Sequence, residues 1–86
     1  ANYLKNDKKL QVNFVVSKRI DTFHGLCKLF DKQGKRMPIK SHSFNKSEVY
    51  TGDSIVKMIN SNLVYVYRKK NWNDENYYIA ERINLE

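Results

Sequence analysis

Eighty-six residues make one domain with a thin core, because a chain of that length buries roughly 60–65% of its unfolded surface. An apolar fraction of 41% excludes a disordered chain, no apolar run approaches the ~18 residues of a membrane span, and the lone Cys27 excludes an internal disulfide and a cysteine-built zinc site. The formal net charge of +7 points toward a polyanion, nucleic acid first, then an anionic membrane surface or an acidic protein.

Residues 1–9 are polar, carry Lys5, Lys8 and Lys9, and read as a flexible or loosely docked arm. From Leu10 the chain alternates, with Leu10, Val12, Phe14 and Val16 on one face and Gln11 and Asn13 on the other, which is the period of a half-buried strand. Residues 17–21 interrupt that pattern. A hairpin is expected next, from a strand over 25–30 to one over 35–41, because Asp31-Lys32-Gln33-Gly34 has turn chemistry. Pro38 has no N–H to give a ladder, so the returning strand is an edge or a short one.

A polar link over 41–47 leads to a turn at Thr51-Gly52-Asp53. Asp53 or Ser54 is placed to cap a helix ending near Asn60, with Ile55, Val56, Met58 and Ile59 on one face. The same run also fits a strand apolar on both sides, and the Asn60-Ser61-Asn62 end favours the helix. Residues 63–70 form the clearest strand, apolar on both faces and therefore expected in the middle of a sheet. Residues 77–85 alternate as another, with Tyr77, Ile79 and Ile83 inward and Tyr78, Ala80 and Arg82 outward. A helix capped by Asn73 or Asp74 is the alternative there. The fold class that results is α+β, a small antiparallel sheet of about five strands, open or curled like a barrel, with one short helix.

The charge is not spread evenly. Up to Ser43 the chain holds ten basic and three acidic residues; beyond it, six of each. Lys8, Lys9, Lys18, Arg19, Lys28, Lys32, Lys35, Arg36 and Lys40 are the expected nucleic-acid-binding residues, because clustered cations release condensed counterions from a phosphate backbone. Charge that merely keeps a hairpin tip solvated would leave the same trace in sequence. Most of the aromatic side chains belong to the core. Trp72, in an acidic-flanked polar turn, and Tyr78, outward by alternation, are the expected protein-contact residues.

Catalysis is not expected. His24 and His42 are the only histidines, and no third group is spaced to orient either one. The carboxylates lack metal-ligand spacing, and Gly25, Gly34 and Gly52 are scattered turn residues, so no cofactor and no metal is implied.

The leading expectation is a non-enzymatic nucleic-acid-binding domain that grips phosphates with its N-terminal basic half. A small inhibitor or accessory factor docking an acidic host protein is the second, and a small nuclease or toxin using His24 or His42 the third. Twelve Lys against four Arg, with ten Asn, resembles translation from an AT-rich genome, as in a low-GC bacterium, phage or virus. The expected setting is reducing and cytoplasmic, in a bacterium or an infected host cell, which suits a buried Cys27 thiol. Oligomeric state is left open.

Overall fold

The computed structural model describes residues 3–40, 44–71, 73 and 75–85. One short helix and six antiparallel strands in two sheets make a small α+β fold. Helix α1 (Tyr3–Lys9) leads into β1 (Val12–Val15), after which β2 (Lys18–Asp21) and β3 (Cys27–Phe30) pair as a hairpin. Strands β4 (Ser54–Lys57), β5 (Leu63–Lys69) and β6 (Tyr77–Asn84) complete a second sheet of order β1-β4-β5-β6. No helix among the described residues is long and apolar enough to cross a membrane.

The alternation of β1 survives intact. Val12, Phe14 and Val16 are buried while Asn13 and Val15 are exposed. They join Ile55, Val64, Val66 and Ile83 from the four-stranded sheet and Leu29 from the hairpin in one apolar cluster. Strand β5 is paired on both sides, as its two apolar faces require. Met37 and Ile39 are both buried, and with Phe44 and Val49 they close the core from the chain between β3 and β4.

Several local features differ from the sequence expectation, for physical reasons. Of the segment read as an arm, Tyr3–Lys9 are helical, and the helix is tied down at its C-terminal end. There the buried Asp7 carboxylate accepts the N–H of Lys40, and Lys57 donates from Nζ to the carbonyls of Lys8 and Leu10. Residues 18–21 form a strand that sequence alternation hides, since its inward position is filled by Arg19 rather than an apolar residue. That guanidinium donates to the carbonyls of Ser47 and Val49 at 2.8 and 2.9 Å.

The hairpin partner of β3 is therefore β2 and not residues 35–41. The expected turn does form, with the Gly34 N–H meeting Asp31 O at 3.0 Å, but only Phe30 and Arg36 bridge across it. Pro38 ends the ladder there. The expected helix over 54–60 is instead β4, whose Ile55 and Lys57 face inward, with Met58 and Ile59 exposed in the turn that follows. β-branched Ile55 and Val56 suit the pleated position between two neighbours better than a two-turn helix.

In β6 a bulge changes the phase. Val66 pairs with Glu81 and Tyr67 with Ile79, so Ala80 has no partner across the ladder. Ile83 stays inward, while Tyr77 and Ile79 fall on the outer face and are exposed. Leu26, just before β3, is exposed as well.

Candidate nucleic-acid interface

The hairpin has two faces of different character. Arg19 and Leu29 pair on the inner one. Because residues opposite each other share a face, the pairs Lys18–Phe30 and Ile20–Lys28 lie together on the outer one. Arg36 joins them through its bridge to Phe30. Lys18, Phe30 and Arg36 thus form a row across three chain segments, an aromatic ring with a cation on either side.

Lys32 completes the group. It and Lys18 line a shallow groove of about 460 Å³ with Ile20, Phe30 and Asp31. The Asp31 carboxylate is used in its own turn, accepting the N–H groups of Gln33 and Lys35 at 2.9 Å each. Lys18, Lys32 and Arg36 are exposed and Lys28 is half-buried. Long aliphatic stems lying on Ile20 and Phe30 with their charges in water account for such a surface.

The nine cations expected on one surface are distributed over two. Lys18, Lys28, Lys32, Lys35 and Arg36 lie on or beside the hairpin. Lys8 and Lys9 end α1, and Lys40 is tied to that helix through its N–H bond to Asp7. Strand β1 and its flanks separate the two groups, about 20 Å of extended chain from Leu10 to Ser17.

Arg19 belongs to neither group as a free charge. Its Nε and Nη2 pair with Asp21 at 3.0–3.1 Å while Nη1 holds two carbonyls. The hydrogen bond to Asp21 raises its pKa and burial opposes that. Cys27, next to Arg19, is half-buried, and desolvation raises its thiol pKa. A thiol so shifted is a poor nucleophile.

A second internal network holds the loop before β4. The buried Asp53 accepts from Arg68 Nε at 2.9 Å and Nη2 at 2.7 Å, and from the N–H of Tyr50. Arg68 also lies over the Tyr50 ring, 4.4 Å from its centroid, and its pKa is raised chiefly by the Asp53 hydrogen bond. Tyr78, expected outward, pairs with Arg68 across the ladder on the core side of the sheet because of the Ala80 bulge, and is still 40% exposed.

Aromatic side chains missed by alternation alone lie elsewhere. Tyr65 and Tyr67 sit on the outer face of β5, rings 6.4 Å apart. Phe23, at the turn between β2 and β3, is 94% exposed, with the His24 ring 4.3 Å away. His24 is likewise exposed in that turn. Trp72 and His42 lie outside the described residues. No group of three or more His, Cys, Asp or Glu among the described residues is arranged to hold a metal ion.

Comparison with known proteins returns no match: no family model, no curated protein and no solved structure resembles the chain.

Proposed function

We propose that the protein binds nucleic acid through the outer face of the β2–β3 hairpin, without catalysis. The row Lys18–Phe30–Arg36 is the observation that supports this reading, with Lys28 and Lys32 on the same side. Lys18 and Arg36, two strand spacings or about 10 Å apart, can meet phosphates along one backbone, and Phe30 between them offers a ring to sugar or base. Contacts of this kind position a nucleic acid and carry little sequence information.

The test is a binding assay with duplex DNA, single strands and RNA across a salt series. With four phosphates neutralised, log K against log[salt] should slope at about −3.6 for a duplex. Lys18→Ala with Arg36→Ala should flatten that slope by about 2 and weaken all sequences alike. A slope near zero, or no change in the double variant, would remove this reading. The accessory-protein reading would then take its place.

A further inference from the structure

We propose that the free edge of β1 receives an extended, acidic segment of a partner protein as an added antiparallel strand. The inference goes beyond the nucleic-acid reading; its groove adjoins the hairpin groove and shares Asp31 and Lys32 with it. Strand β1 is the outermost strand of its sheet, with β4 on one side only. Its backbone direction follows from the bonds at its end. The Val16 N–H donates to Asp53 O at 2.9 Å and Val16 O accepts from Gly52 N at 2.7 Å, so Val16, and by alternation Phe14 and Val12, turn toward β4.

Asn13, Val15 and Ser17 therefore turn their N–H and C=O groups the other way. Ser17 finds a partner there, donating to Phe30 O at 2.8 Å, because β3 runs alongside as far as Phe30. Beyond Phe30 the Asp31–Gly34 turn takes the chain away. The lane that β3 would occupy if it continued is left open beside Asn13 and Val15. A groove of about 770 Å³ there is lined by residues 13–17 along β1, by Asp31, Lys32 and Gln33 at one end, and by Thr51 and Gly52 beside Val16.

An occupant of that lane has to satisfy a row of outward N–H and C=O groups, and an extended peptide does so residue by residue. The opposite edge of the sheet is unsuited. There β6 is broken by the Ala80 bulge, and its Glu81 carboxylate already holds the Glu48 N–H at 3.0 Å. Charge selects the kind of peptide. Lys32 lines the end of the lane, with the Asp31 carboxylate turned to the N–H groups of Gln33 and Lys35 but still charged, and Lys8 and Lys9 precede its other end, so cations outnumber anions along it. A second copy of this chain would bring another +7 to the same edge. An acidic strand is attracted where a second copy is repelled.

The experiment uses the full chain labelled with ¹⁵N and an acetylated, amidated octapeptide of alternating Glu and Val, with its Lys-for-Glu counterpart as control. The amides of Asn13 and Val15 should shift at millimolar acidic peptide and stay in place with the basic one. Val15→Pro removes an N–H that faces away from β4, so the variant should keep its thermal midpoint and lose the shifts. Lys32→Glu should weaken binding about tenfold. Unmoved Asn13 and Val15 amides, equal response to both peptides, or concentration-dependent dimerisation abolished by Val15→Pro would overturn the proposal. Val15→Pro should leave nucleic-acid affinity unchanged, so failure here and failure of the hairpin reading register in separate assays.

Discussion

Lys57 is completely buried on the inward face of β4, an unusual place for an ammonium group. Its Nζ donates to the carbonyls of Lys8, Leu10 and Met58, so it satisfies the frayed end of α1 and a turn at once. Lys57→Met should therefore cost about 2 kcal/mol, since Leu10 O loses its donor while Lys8 O and Met58 O keep the N–H groups of Asn60 and Ser61. Desolvation lowers the Lys57 pKa, with the charge of Asp7 opposing it. Between that lowered value and the unfolded value of about 10.4, the unfolded chain holds more protons, so the native state gains stability as pH rises. Denaturant unfolding of both proteins should show the deficit of the variant widening from neutral pH toward pH 10. A deficit that narrows would mean the three carbonyls hold the proton more strongly than burial expels it.

At the scale of elements, β4 carries the clearest test. Ile55 is fully buried and pairs with Phe14 on one side and Val66 on the other, whereas Ile59 lies in the turn and is 57% exposed. Ile55→Ala should cost about 3 kcal/mol and Ile59→Ala less than about 0.5 kcal/mol. A helix over the same residues would bury both isoleucines and make the two losses alike, so equal costs would refute the strand. The turn after β4 shows why it ends where it does: Asn60 takes φ of 63°, a left-handed conformation that asparagine tolerates and β-branched residues avoid. Its N–H meets Lys8 O at 2.8 Å, which seats α1 against the same turn. Helix and strand are each completed by the other.

On the scale of the whole molecule, the net charge of +7 sits on a fold with eight of its sixteen cations around the hairpin and the end of α1. Like charges held close oppose compaction, and salt screens them. Raising sodium chloride from about 10 to 150 mM should therefore stabilise the fold by about 1 kcal/mol, a rise of some 4–8 °C in thermal midpoint. A falling midpoint would mean that the Arg19–Asp21 and Arg68–Asp53 pairs outweigh the repulsion. The α+β class, the alternation of β1, the central place of β5 and the segregation of charge were all legible in the sequence, because side-chain period and composition are local properties. Tertiary structure alone decided that β3 pairs with β2, that residues 54–57 are a strand and that a bulge turns Tyr77 and Ile79 outward. It also divided the cations between two surfaces and spent Arg19 on internal carbonyls. These outcomes depend on which backbone groups meet across the sheet and on polar residues taking inward positions, and a pattern of apolar spacing carries no record of either.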